Sequence, residues 1–213
     1  MRLAETGGPM AWQSSKTFGE SEGMKRLALR PSIHLSARDD LKDKERSLPP
    51  PNVRTYTDGS CIGGHVGAAA VYPEKGRIRD AYMGTNATLT VYAAELRGIN
   101  LALTMAKEEV DAGAVQRCIN VFADNQAAIR SLTRPEGRSG SYILRQIVER
   151  IGALQTSGHK VTLRWMPSHK GKDGNEAADI AAKKATGRRG GPASGPRATP
   201  PQKLYSLHAP LKV

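Results

Sequence analysis

Residues 53–187 alternate between two hydrophobic patterns, one with the period of a strand and one with the period of a helix. Residues 53–57 and 77–83 alternate apolar and polar positions, and residues 66–72 form a run of small apolar side chains. Short links containing glycine join these three segments. The pattern predicts three strands that form an antiparallel meander.

From residue 91, the apolar residues follow the spacing of a helix. Between residues 91 and 110 an apolar stripe recurs every three or four residues, which predicts a long amphipathic helix. Ser141 and Asn175 stand where N-caps are expected, and Pro167 and Gly187 stand where elements should end. The remaining predicted elements are strands at 118–123 and 161–166 and helices at 125–132, 142–156 and 176–186.

The resulting order is β-β-β-α-β-α-α-β-α. It predicts an α/β fold with a mixed five-stranded sheet, in which three antiparallel strands are followed by parallel additions reached through helical crossovers. Helices are expected on both faces of the sheet. Residues 51–187 should therefore form one domain.

The two flanks lack such periodicity. Residues 1–50 mix Gly, Ser, Pro and charge, and are expected to be a mostly disordered extension with room for a short helix within 39–46. Residues 188–213 form a Gly/Pro-rich tail with five basic and no acidic side chains. The net charge of +12 and the pI of about 10.0 suggest a polyanionic partner. Solvation and nucleic-acid binding are equally open explanations of the tail.

Composition also narrows the location and the cofactors. Cys61 and Cys118 have no CxxC spacing, which argues against a zinc site and fits a reducing compartment. We find neither a signal-peptide core nor a membrane-length apolar run, so we expect an intracellular protein of the nucleus or cytoplasm that is not secreted. The absence of Gly-rich phosphate-binding motifs argues against a nucleotide cofactor.

Four acidic residues, Asp58, Glu95, Asp124 and Asp179, lie in or directly after apolar runs. A lone carboxylate is costly to bury, but divalent cations can neutralise a cluster of them. Taken singly, Asp58 suits a turn, Asp124 an N-cap and Asp179 the first turns of a helix.

Glu95 is the residue that these ordinary roles do not explain. It lies in line with Ile99, Ala102 and Ala106 on the core side of its helix, with no basic residue one turn away on that stripe. We therefore interpret Glu95 as a metal ligand and the three aspartates as its companions.

His169 lies in a loop with two glycines, ten residues before Asp179. A loop histidine is commonly just solvated, but this position favours a role in proton transfer.

Four motifs in this order resemble the ribonuclease H family over about residues 53–187. They are Thr57-Asp58-Gly59-Ser60, Ala94-Glu95-Leu96, Ala123-Asp124-Asn125-Gln126 and the long motif that runs from Trp165 through His169 to Asp179. The last motif is the most specific. The set is most similar to ribonuclease H domains of fungal non-LTR retrotransposon polyproteins.

The resemblance implies a metal-dependent endonuclease that hydrolyses the RNA strand of RNA/DNA hybrids and leaves 5′-phosphate and 3′-hydroxyl ends. It implies that Asp58 bridges two Mg²⁺ ions, with Mn²⁺ as an alternative metal. Glu95 and Asp124 would complete one ion site and Asp179 the other.

The resemblance also implies residues that contact the substrate and partners for the chain. Four residues should lie along the RNA strand: Gly59, Ser60, Asn125 and Gln126. A reverse transcriptase or a parent polyprotein is a possible partner, and a monomer is favoured.

The sequence departs from many family members at two places. Asn86 lies upstream of the usual asparagine-rich turn, and residues 133–140 leave no room for the extra basic helix. Two alternatives stay open beside the hybrid nuclease. One is an integrase or transposase core, against which Glu95 and Asp179 argue; the other is a non-catalytic nucleic-acid-binding relic of a mobile element.

Overall fold

The computed structural model describes residues 32–34, 52–113, 117–133, 140–167 and 173–187. The strands within these ranges are β1 (Ser32–His34), β2 (Asn52–Ile62), β3 (His65–Tyr72), β4 (Arg77–Thr85), β5 (Cys118–Ala123) and β6 (Lys160–Trp165). The helices are α1 (Val91–Asp111), α2 (Gln126–Ser131), α3 (Ser141–Thr156) and α4 (Asp173–Thr186), and a 3₁₀ turn covers Pro73–Lys75.

These strands form a single mixed sheet in the order β1-β6-β5-β2-β3-β4. Strands β2, β3 and β4 are antiparallel neighbours, whereas β5 pairs in parallel with β2 and β6 in parallel with β5. The predicted fold class is therefore confirmed, and so is the predicted order of elements from β2 to α4. Parallel pairing requires the chain to return along a helix each time, which is why helices separate β4, β5 and β6.

The predicted number of strands, five, is wrong. Strand β1 adds a sixth by pairing in parallel with β6, so that Ser32 lies opposite Thr162. It falls within the segment that was expected to be disordered. Three residues are too few to show a period of two, so no hydrophobic pattern could reveal this strand. The short helix expected within 39–46 lies outside the described residues.

Helix α1 packs unusually close to β2 because two glycines remove side chains from the contact. A Cβ atom on Gly59 would lie 2.6 Å from the backbone nitrogen of Glu95. A Cβ atom on Gly98 would lie 3.2 Å from the carbonyl oxygen of Asp58. This approach sets the backbone of Glu95 directly against the strand that carries Asp58.

Helix α4 covers the opposite face of the same strands. Gly67 of β3 lies against it, since a Cβ atom there would be 2.5 Å from the carbonyl oxygen of Ala182. Gly67 pairs with Ser60 and Ala68 pairs with Gly59, so residues 59 and 60 point to opposite faces. The expected helices on both faces are thus present, with the larger core between the sheet and α1 and α3.

Helix starts differ from the predicted ones in detail. Asn125, not Asp124, caps α2, because its side chain accepts a hydrogen bond from the Ala128 N–H at 3.0 Å. Gly140 replaces Ser141 as the N-cap of α3, with φ at 83°. Helix α4 begins at Asp173 and places Asn175 within its first turn. Among the described helices, none is long and apolar enough to cross a membrane.

Candidate metal centre

Asp58 lies where the sheet begins to open. The pairing of β2 with β5 ends at Thr57 opposite Ala123, so the next residue of β2 has no partner on that side. Alternation places Asp58 on the same face as Tyr56, which packs against Ala178 of α4. The side chain is nevertheless buried, with 8% of its surface exposed.

Glu95 approaches the same point from the other face. It is carried by α1, on the Gly59 side of β2, and is only 5% exposed. Within the described part of the chain, its Oε2 atom is buried without a hydrogen-bond partner. A buried oxygen of this kind costs free energy unless another group binds it.

Asp124 completes the group as the first residue after β5. Because Asn125 caps α2, the Asp124 carboxylate is not required for capping. The indole Nε1 of Trp165 donates a hydrogen bond of 2.8 Å to the carbonyl oxygen of Asp124. This bond ties the end of β5 to the end of β6 and fixes the backbone from which the carboxylate projects.

The three carboxylates together form a site suited to a cation. Asp58, Glu95 and Asp124 each offer an oxygen, and these oxygens lie within 4.8 Å of one another. Around one octahedral Mg²⁺ ion at about 2.1 Å, neighbouring ligand oxygens lie about 3.0 Å apart and opposite ones about 4.2 Å, so the three carboxylates would move closer together to share an ion. The oxygen-only donor set and the unpartnered Glu95 Oε2 fit a hard divalent cation.

Electrostatics point the same way. Burial, and then the negative charges of Asp124 and Asp179, raise the pKa of Asp58 to about 7, against a weaker lowering by the Gly59 N–H. Burial, and then Asp124 and Asp58, raise the pKa of Glu95 to about 9. Without a cation the cluster therefore binds protons that ordinary carboxylates would have released.

Asp179 lies beside this cluster rather than within it. It projects from α4 close enough for its charge to raise the pKa of Asp58. Its Oδ2 accepts a hydrogen bond from the ammonium of Lys183 at 2.7 Å, one helical turn further on. The fourth predicted ligand is thus paired with a lysine.

The other predicted residues fall at different places. Ser60 is buried on β2 at 8% exposure, next to Gly59, while Asn125 and Gln126 lie at the start of α2. All four are neighbours in sequence of a cluster carboxylate. His169 lies outside the described residues.

A model of the RNase H family matches residues 50–187, and the chain belongs to that family. The match spans every described element from β2 to α4 and includes the three clustered carboxylates and Asp179. The enzyme class that this defines is ribonuclease H.

Relatives of known identity include retroviral proteins. The Pol polyproteins of equine infectious anemia virus, strain Wyoming and isolates 1369 and CL22, are each 28% identical over 155 residues. The match covers 70% of this chain but only 12% of each polyprotein. The solved RNase H1 of the archaeon Halobacterium salinarum NRC-1 is 25% identical, with a TM-score of 0.44 over 63% of this chain and 96% of that one.

Two contacts at the site were not expected from the sequence. The role of Trp165 as a donor to the Asp124 backbone requires the adjacent ends of β5 and β6, which only the folded sheet supplies. The Lys183–Asp179 pair did leave a signal, namely an acid and a base four residues apart on a predicted helix.

Proposed function

We propose that this chain hydrolyses the RNA strand of RNA/DNA hybrids as a metal-dependent endonuclease. The observation that carries the proposal is the buried cluster of Asp58, Glu95 and Asp124 inside a ribonuclease H family domain. Burying like charges is unfavourable for folding, so their presence together at one point supports a role in binding a cation.

Asp58, Glu95 and Asp124 would hold one divalent cation, and Asp58 with Asp179 would hold a second. We propose Mg²⁺, with Mn²⁺ as an alternative. Bound cations of this kind lower the pKa of a water nucleophile and stabilise charge on a reacting phosphate. The protein keeps these oxygens in place beforehand: Gly59 admits α1 to the strand, and Trp165 holds the backbone of Asp124.

Substrate contacts would come from residues adjacent to the carboxylates. Gly59, Ser60, Asn125 and Gln126 are proposed to line the RNA strand. Discrimination against DNA would rest on the 2′-hydroxyl and on the shape of the duplex. His169 is proposed to transfer a proton near the leaving group. The products would carry 5′-phosphate and 3′-hydroxyl ends.

We further propose how the chain is used. The viral relatives are polyproteins of which this chain would cover a small part, which supports a parent polyprotein or a reverse transcriptase as partner. The resemblance to fungal retrotransposon domains stays a prediction, as do the monomeric state and the intracellular location. The basic residues of the 188–213 tail would add contacts to phosphates.

A cleavage assay on the full chain tests the proposal. A hybrid labelled on the RNA strand, incubated with Mg²⁺, should be cut at internal positions, whereas duplex RNA and duplex DNA should stay intact. The fragments should accept a ligase adaptor that requires a 5′-phosphate. Binding of the hybrid without any cut in Mg²⁺ or Mn²⁺ would instead identify a non-catalytic relic, and cutting of duplex DNA would indicate a nuclease of another kind.

A further inference from the structure

Lys183 is the cation that the chain itself supplies to the acidic site. Its Nζ lies 2.7 Å from Asp179 Oδ2, and the two side chains are 49% and 25% exposed. Its positive charge also reaches Asp58, where it lowers a pKa that burial, Asp124 and Asp179 raise. One ammonium thus acts on two of the four proposed ligands.

Asp179 differs from the other three carboxylates because it is paired with a lysine. In the described part of the chain, Asp58, Glu95 and Asp124 are grouped within 4.8 Å, and Asp179 is not a member of the group. Glu95 retains a buried oxygen without a partner, whereas an oxygen of Asp179 is already bound. The cluster is ready for one cation, but the position beside Asp179 is occupied.

We infer that Lys183 occupies the position of the second divalent cation and competes with it for Asp179. This inference rests on the proposed function, in that it assumes a cation site shared by Asp58 and Asp179. An ammonium and a divalent cation on the same carboxylate oxygen would repel each other, so the lysine has to withdraw when the second ion binds.

The lysine is suited to such an exchange. Its ammonium is a compact charge on a flexible four-carbon stem, and half of the side chain is exposed to water. Exposed ion pairs of this type are weak, so displacement costs little. Competition should therefore weaken the second ion about two- to five-fold and weaken the first ion less, because Lys183 acts on Asp58 only at a distance.

The plainer explanation of the pair is helix stabilisation. Acid and base four residues apart stabilise many exposed helices, and Asp179 stands N-terminal to Lys183 in the favourable order. That role and the competition predict different metal affinities. If the lysine only holds Asp179 in a useful orientation, its removal should weaken the second ion. If it competes, its removal should strengthen that ion.

Manganese binding to the full chain separates these outcomes. Free Mn²⁺ can be measured by electron paramagnetic resonance during a titration of the wild type, Lys183→Gln and Lys184→Gln. Lys184 is the matched control, because it is exposed, lies next to Lys183 on α4 and removes the same charge. We expect one tighter and one weaker ion in the wild type, with the weaker ion bound about two- to five-fold more tightly by Lys183→Gln alone.

Several results would overturn the inference. These are an unchanged or weakened second ion in Lys183→Gln, equal tightening in Lys184→Gln, or a second ion detected in none of the three proteins. Because no substrate is present, none of these results bears on whether hybrids are cut. Conversely, an inactive wild type with the expected Mn²⁺ affinities would contradict the proposed function and leave the competition intact.

Discussion

The two ends of α1 treat acidic side chains in opposite ways. Near its C-terminal end, Glu108 and Glu109 face Arg77 and Arg79 of β4, with Arg77 Nη1 2.6 Å from Glu109 and Arg79 Nη2 2.6 Å from Glu108. Near its start, Glu95 faces Asp58 and Asp124 instead. One helix therefore carries acids paired with arginines near its C-terminal end, here called the compensated end, and an acid that faces other acids near its start.

Within this one helix, the acids near the C-terminal end are arranged for stability, and the acid near the start is arranged for binding a cation. At the compensated end, burial alone would lower the pKa of Arg77, but hydrogen bonds from Arg77 to Glu108 and Glu109 raise it. Each of these two acids has an arginine partner. At the other end, burial and like charges raise the pKa of Glu95 to about 9. The first group is complete by itself, whereas the second is suited to a cation from solution.

The largest expected effect is on catalysis. Asp58→Asn removes the carboxylate proposed to be shared by both cations, so hybrid cleavage should fall below detection while the fold survives. Glu108→Gln makes the same chemical change at the compensated end and should cleave like the wild type. The measurement is the initial rate on a labelled hybrid, with circular dichroism as the control for folding.

Substantial cleavage by a folded Asp58→Asn protein would remove Asp58 from the site. Loss of cleavage in Glu108→Gln as well would show that the two ends of α1 are not independent, and the comparison would then fail.

Without metal, the free energy of unfolding should fall as pH rises. Asp58 and Glu95 bind protons more tightly in the folded protein, with pKa values of about 7 and about 9 against ordinary values of 3.8 and 4.5. The folded state therefore holds more protons, and stability falls as pH rises. It should be greatest below about pH 4 for these groups and decline through pH 7 and 9, by up to about 1.4 kcal/mol per pH unit for each.

Urea unfolding in EDTA at pH 5 and pH 8 measures this slope, with Glu95→Gln as the variant in which it should be shallower. Stability that rises between these pH values in the wild type, and equally in Glu95→Gln, would mean that the carboxylates are not the controlling groups.

A bound divalent cation should offset the destabilisation that the clustered carboxylates cause without metal. At about 100 times its dissociation constant, Mg²⁺ should stabilise the folded protein by about 2.7 kcal/mol, which raises Tm by roughly 5–10 °C. Asp124→Asn removes one of the repelling charges, so it should be more stable than the wild type in EDTA and gain less from Mg²⁺. Thermal melts of both proteins across a Mg²⁺ series decide this, and a Tm of the wild type that ignores millimolar Mg²⁺ would count against a cation site.

The same comparison shows what the sequence could reveal. Glu95 was predictable because an acid on the apolar stripe of a helix is anomalous within its own segment. The partners of Glu108 were not, because Arg77 and Arg79 are about thirty residues away and only the position of β4 beside α1 brings them together. Strand β1 was not predictable for a related reason, because its three residues form a strand only by pairing with β6.

The smallest effect is expected at the compensated end. Removing a partner from an exposed ion pair costs roughly 0.2–1 kcal/mol, and Arg79 and Glu108 are 20% and 37% exposed. Arg79→Gln and Glu108→Gln should each destabilise the protein slightly, and the double variant should lose less than the sum of the two. The coupling should shrink in 1 M salt, because exposed charges are screened.

The sign of this effect matters more than its size. Neutralising Asp124, which belongs to the acidic cluster at the start of α1, is expected to stabilise the metal-free protein. Neutralising Glu108, near the end of α1, is expected to destabilise it. Urea unfolding of Asp124→Asn and Glu108→Gln in EDTA at one pH provides the direct comparison. If both variants shift in the same direction, the cluster at Asp58 is no more strained than an ordinary surface network, and the electrostatic case for a cation site is lost.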